Sequence, residues 1–124
     1  MATILIVEDN ATNMELSSFL LESANYNVLK SATAEDGVAI ARDQHPDLIL
    51  MDIQLPGMDG LRATALLKGD RATCDIPVLA LTALAMKGDE ERIRAAGCDG
   101  YIAKPLDYKA FLAEIKARLA AGAV

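Results

Sequence analysis

Asp47-Leu48-Ile49-Leu50-Met51-Asp52-Ile53-Gln54-Leu55-Pro56-Gly57-Met58-Asp59-Gly60 is the stretch whose reading decides the fold. An unbroken apolar run ends in a single acid, and a loop punctuated by Pro and Gly follows. The run is short and apolar throughout, as in a parallel strand buried on both faces. The same layout recurs along the chain. Ile4-Leu5-Ile6-Val7 leads into Glu8-Asp9, Val78-Leu79-Ala80-Leu81 into Thr82-Ala83, and Tyr101-Ile102-Ala103 into Lys104-Pro105. If these runs are parallel strands of one sheet, their carboxyl ends share one edge, and ligands bind at that edge in open α/β sheets. Carboxylates, a hydroxyl and an ammonium meeting there point to a metal ion and a phosphoryl group.

The remaining pattern supports this. Strands are predicted near 3–7, 26–30, 47–51, 77–81 and 99–102, and helices near 12–24, 34–43, 58–68, 85–96 and 107–120. This βα alternation predicts a parallel sheet with helices on both faces. Thr12-x-x-Glu15 reads as a capping box for the first helix. Tyr108, Phe111, Leu112, Ile115 and Leu119 fall on one face of the last helix, and the tail from Ala120 is expected to fray. Pro46 and Pro77 precede strands, where a missing N–H is tolerated. The fourth helix is weak: it contains Gly88 and few apolar residues, which marks either a switching element or a solvated helix held by pairs such as Glu90–Arg94. The whole of 1–124 reads as one domain with no further output domain.

Composition sets limits. A chain of 124 residues with 52% apolar and 4% aromatic content can bury an aliphatic core. A net charge of −6 argues against nucleic acid as a direct partner. Cys74 and Cys98 lack metal-ligand spacing and suit a reducing compartment. No run approaches the roughly 20 apolar residues that span a bilayer, so no membrane insertion is expected, and the expected location is the cytoplasm. His45, before Pro46, is read as a solvated loop residue far from the carboxyl edge.

The chemistry of that edge follows from its donors. Glu8, Asp9 and Asp52 offer hard oxygens that suit Mg²⁺ (or Mn²⁺), and the backbone carbonyl of Gln54 could add another. Asp52 is then a candidate nucleophile toward phosphorus. The cation and Lys104 would neutralise the phosphoryl oxygens, and the Thr82 hydroxyl could donate to one of them. Each signal alone has an ordinary explanation as a turn, a helix cap or a loop acid. Their joint occurrence at successive strand ends does not.

Here the chain resembles the receiver domain of two-component response regulators over essentially its whole length. The resemblance rests on Ile6-Val7-Glu8-Asp9-Asn10, the 47–60 stretch, Ala80-Leu81-Thr82-Ala83 and Gly100-Tyr101-Ile102-Ala103-Lys104-Pro105. It implies a flavodoxin-like (βα)5 three-layer sandwich with strand order 2-1-3-4-5. It implies that Asp52 is phosphorylated from a sensor histidine kinase or a histidine phosphotransferase, with Mg²⁺ on Glu8, Asp9 and Asp52. Thr82 and Lys104 become the phosphoryl-sensing pair and Tyr101 the aromatic switch, moving into space near Ala83. Lys104-Pro105 becomes a cis peptide. A downstream protein is expected on the face of the fourth helix, fifth strand and fifth helix. Gln54 and Leu84 flank the path of an attacking water, and apolar Leu84 predicts slow dephosphorylation. The Ala85–Arg94 segment with Gly97-Cys98 further resembles stand-alone receivers that control bacterial cell division, which implies histidine kinases and a kinase-like protein as partners and recruitment to a cell pole. With no output domain that needs dimers, a monomer or a weak phosphorylation-dependent dimer is expected.

A terminal effector and an intermediate receiver of a multistep phosphorelay would use the same site, and both stay open. Other classes fit less well. A Mg²⁺-dependent phosphohydrolase usually places a second Asp two residues after its nucleophile, where this chain has Gln54. A flavodoxin-type FMN carrier needs a Ser/Thr/Gly-rich loop after the first strand, where Glu8-Asp9 would repel phosphate.

Overall fold

Alternating apolar runs and amphipathic stretches become alternating strands and helices. The computed structural model describes residues 2–55, 57–82, 87–103 and 107–122. The strands are β1 (Thr3–Val7), β2 (Asn27–Ser31), β3 (Leu48–Asp52), β4 (Val78–Thr82) and β5 (Gly100–Ala103). The helices are α1 (Ala11–Ser23), α2 (Ala34–Gln44), α3 (Gly60–Lys68), α4 (Lys87–Ala95) and α5 (Tyr108–Gly122). All strand pairs are parallel, and the order is β2-β1-β3-β4-β5, as expected.

The pleat divides the core into two halves. Ile4, Ile6, Leu48, Leu50, Leu79 and Leu81 face one way, against Leu21 of α1 and Phe111 and Ile115 of α5. Leu5, Val7, Ile49, Met51, Val78 and Ala80 face the other, against residues such as Val38 of α2, Leu67 of α3 and Ile93 of α4. β3 and β4 are buried along their whole length, which accounts for their unbroken apolar runs.

Several boundaries move. β2 to β5 lie one residue later than their apolar runs suggested, so Asp52 and Thr82 close their strands rather than follow them. The ladder continues past Met51 because Ile53 N donates to Leu81 O at 3.2 Å. The expected capping box at Thr12 is not used: Asn10 is the N-cap of α1, and its Oδ1 accepts from Asn13 N at 3.0 Å. α3 starts at Gly60 because Asp59 caps it, accepting from Arg62 N at 2.8 Å. α5 continues through Gly122, where fraying from Ala120 was expected. Tyr108 is exposed at the head of that helix, outside the buried stripe. The Glu90–Arg94 pair of α4 is present at 2.9 Å. His45 is the left-handed C-cap of α2 (φ 46°) and pairs with Asp75 at 3.1 Å.

The amino edge of the sheet is tied by side chains. Asp47 Oδ2 accepts from Thr3 N at 2.8 Å. Lys68 Nζ donates to Ile76 O (2.8 Å) and to Asp99 Oδ2 (2.9 Å), and Asp99 Oδ2 also accepts from Val78 N (2.8 Å). Among the described residues, no helix is long and apolar enough to cross a membrane.

Candidate metal and phosphoryl-transfer site

The acidic site is a consequence of strand register. Val7 pairs with Met51, which sets Glu8 level with Asp52 on the neighbouring strand. Both continue the even-numbered stripes Ile4-Ile6 and Leu48-Leu50, so the pleat puts their side chains on one face. Glu8 is held at the end of β1 by its N–H, which donates to Ser31 O at 2.9 Å. Asp9 follows it and is exposed. Ligand oxygens of Glu8, Asp9 and Asp52 all lie within 4.8 Å of one another.

Burial makes this cluster chemically demanding. Glu8 is 2% exposed and Asp52 is 3% exposed. Neighbouring carboxylates taken out of water need compensating positive charge or hydrogen bonds. Some compensation is local: Gln54 N donates to Asp52 Oδ1 at 2.9 Å, and Asn10 N approaches Glu8 Oε2 at 3.4 Å. A set of hard carboxylate oxygens with one exposed member fits an oxygen-seeking divalent cation that keeps part of its water shell.

The loop after Asp52 is shaped to serve that site. Gly60 N donates to Ile53 O at 3.4 Å, closing the loop on itself. A Cβ on Gly60 would overlap the Asp52 carbonyl oxygen and lie 2.8 Å from Ile53 Cα, so only glycine permits α3 to start against the Asp52 backbone. Gly57 turns the chain with φ +75°, and Met58 N donates to Glu35 Oε1 of α2 at 3.3 Å.

Thr82 is fully buried at the end of β4, on the strand beside Asp52, and pairs in register with Ala103. Tyr101 of β5 is half-buried and packs against the core half that contains Ile93 and Cys98. Ala83, Leu84, Lys104 and Pro105, with the expected cis bond, lie outside the described residues. Sequence reasoning missed the bond from Glu35, since a helix-first-turn acid carries no sign of what it reaches. It also missed the α1 surface, where Leu16 and Phe19 are exposed one turn apart. Asn10 was passed over as the N-cap in favour of Thr12, although Asn directly before a helix is also a standard signal.

This chain belongs to the response regulator receiver domain family, which matches residues 4–116. It is similar to the polar-differentiation response regulator DivK of Brucella ovis, with 49% identity over 117 residues covering 94% of this chain and 95% of that protein. The receiver domain of a sensor histidine kinase from Pseudomonas aeruginosa, with a magnesium ion coordinated in its active-site cleft, superposes with a TM-score of 0.90 at 34% identity, covering 96% of this chain and 98% of that one. A CheY-like receiver domain protein from Methanospirillum hungatei gives 0.91 at 30% identity, covering 98% and 96%.

Proposed function

We propose that this receiver is a phosphorylation-driven switch in which Asp52 takes a phosphoryl group from the phosphohistidine of a sensor histidine kinase or a histidine phosphotransferase. The observation that carries the reading is the pairing of buried Glu8 and Asp52 at adjacent strand ends beside exposed Asp9. A carboxylate oxygen of Asp52 attacks phosphorus, the P–N bond breaks, and the imidazole nitrogen leaves with the electron pair and is reprotonated. Glu8, Asp9, Asp52 and the Gln54 carbonyl would hold Mg²⁺ or Mn²⁺. When bound, that cation supplies charge neutralisation for the phosphoryl oxygens. Gln54 N–H keeps the Asp52 carboxylate oriented, and the buried position of Thr82 supports its role as hydroxyl donor to the phosphoryl group. Lys104 would supply a second positive charge.

The chain modifies itself and turns over no external substrate, which separates it from the phosphohydrolases. Gln54 and Leu84 set the lifetime, and a polar residue at Leu84 should hasten loss of phosphate. Tyr101 and Ala83 would transmit the change to the α4–β5–α5 face. A groove of about 370 Å³ there, lined by Ile93, Cys98, Tyr101, Glu114 and Arg118 among others, supports docking of a downstream protein. The similarity to DivK, a polar-differentiation response regulator, supports a place in cell-cycle or polarity control. In this reading the protein works as a monomer in the cytoplasm and is recruited to a cell pole.

Intact mass after incubation with Mg²⁺ and acetyl phosphate tests the core of this reading. One phosphoryl adduct is expected on the wild type and none on Asp52→Ala. An adduct that survives in the mutant, or none on either, would overturn the role of Asp52.

A further inference from the structure

Glu35 sits on the first turn of α2, yet its carboxylate reaches the loop that follows Asp52. Its Oε1 accepts from Met58 N at 3.3 Å. The same oxygen lies 3.9 Å from the Cβ position at Gly57, where the chain turns with φ +75°. Among the described residues, bonds at the loop's base are Ile53 N to Leu81 O, Gly60 N to Ile53 O, and Gln54 N to Asp52 Oδ1. Glu35 instead grips the far half of the loop, from a different element.

That element is firmly placed. Ala34, Gly37, Val38 and Ala41 of α2 are buried, and Gly37 lies so close to β1 that a Cβ there would stand 2.7 Å from Val7 Cγ2. Val7 directly precedes Glu8 and Asp9. The bond from Glu35 therefore references the Asp52 loop to the strand that carries the other acids. The carbonyl of Gln54 leads from the loop's base toward that grip.

We infer that Glu35 is a positioning residue for the chemistry at Asp52: by holding Met58 N it fixes Gly57 and Met58 of the loop after Asp52 relative to the Glu8–Asp9 strand end, and so sets how well the site binds a divalent cation. The inference rests on the reading of the acidic cluster as a cation site. The competing account is that Glu35 only supplies negative charge to the N-terminus of α2. The two accounts separate by substitution. Glu35→Gln loses the charge but keeps an oxygen acceptor at the same reach. Glu35→Asp keeps the charge but is one methylene too short.

The experiment is calorimetric titration with Mg²⁺ of the wild type and of Glu35→Gln, Glu35→Asp and Glu35→Ala, with amide exchange of Ile53, Gln54, Gly57, Met58 and Asp59 and melting temperatures on the same samples. Loss of one hydrogen bond on an exposed loop should weaken Mg²⁺ binding about three- to tenfold in the Asp and Ala variants and speed exchange at Met58 by a similar factor. Glu35→Gln should stay within about twofold of wild type in both, with all melting temperatures nearly equal. If Glu35→Asp matches wild type while Glu35→Gln matches Glu35→Ala, charge alone matters and the inference is overturned. Equal Mg²⁺ affinity and exchange in all four proteins overturns it as well. A wild type that binds Mg²⁺ but takes no phosphoryl group would refute the role of Asp52, and the Mg²⁺ comparison among the variants would still decide the role of Glu35.

Discussion

Substituting Gly60 with alanine should damage this protein more than a glycine-to-alanine change at a helix start ordinarily does. The new Cβ would overlap the Asp52 carbonyl oxygen and stand 2.8 Å from Ile53 Cα and 2.9 Å from Asp52 C. All three neighbours are backbone atoms, so no flexible side chain can yield. Either α3 must retreat from the sheet or the Asp52–Ile53 backbone must shift, and the Gly60 N to Ile53 O bond goes with it. Overpacking of this kind costs about 1–3 kcal/mol. At about 2.1 cal/mol/K per residue, that loss lowers Tm by about 4–12 °C in a 124-residue domain. Gly69→Ala is the control. It sits in ordinary right-handed helical backbone (φ −86°), and its Cβ would meet Ala65 O at 3.3 Å, so it should move stability by no more than about 1 kcal/mol. Thermal melts followed by circular dichroism measure both. Gly60 also abuts the residue proposed to carry the phosphoryl group, so adduct formation from acetyl phosphate should slow in Gly60→Ala and not in Gly69→Ala. A Gly60→Ala protein that melts at or above the wild-type temperature would refute the steric argument.

Phe111 is fully buried between α5 and the sheet, so Phe111→Ala should cost about 3–5 kcal/mol, read as a fall in Tm or in denaturant midpoint. Cys74 is exposed and Cys98 is 8% exposed, so a thiol reagent should label one site at once and the second only as the chain unfolds. Burial pushes the Cys98 thiol above its ordinary value of 9.0, against a smaller opposing bond from Thr64. A raised value in the folded state means that this contribution to stability is intact below pH 9.0 and is lost as pH climbs beyond it, and Cys98→Ala should flatten that alkaline limb in pH-dependent melts. Mg²⁺ at 100 times its dissociation constant should stabilise the wild type by about 2.7 kcal/mol, and Asp9→Asn should show a visibly smaller gain at the same concentration.

Much of the architecture was legible because β3 and β4 are buried on both faces and so spell continuous apolar runs. Once these strands are parallel, their acidic and polar endings must share one edge, and register does the rest for Glu8 and Asp52. Strand ends were misplaced by one residue because hydropathy reads apolar character, whereas a strand ends where its ladder ends, and Asp52 and Thr82 are polar residues still inside the ladder. The cap of α1 was misassigned because Thr12-x-x-Glu15 and Asn10 both carry plausible signals, and only geometry chose Asn10. Tyr108 fitted the helical stripe by spacing, but at the first position of α5 it falls outside the packed layer. The contact between Glu35 and Met58 was invisible, since it depends on how far α2 leans over a loop that lies 23 positions along the chain.

The bonds along the amino edge have a mechanical consequence. Thr3 is fastened to Asp47, Lys68 bridges Ile76 and Asp99, and Asp99 also fastens Val78. With β1 clipped to β3 and β4 to β5 at their starting ends, each pair is held like two ribs of a fan at the rivet: a push at the carboxyl tips meets more resistance to sliding than to spreading or closing. A charge added at Asp52 would thus be spent on moving the rim of the molecule, the rim that an approaching protein meets.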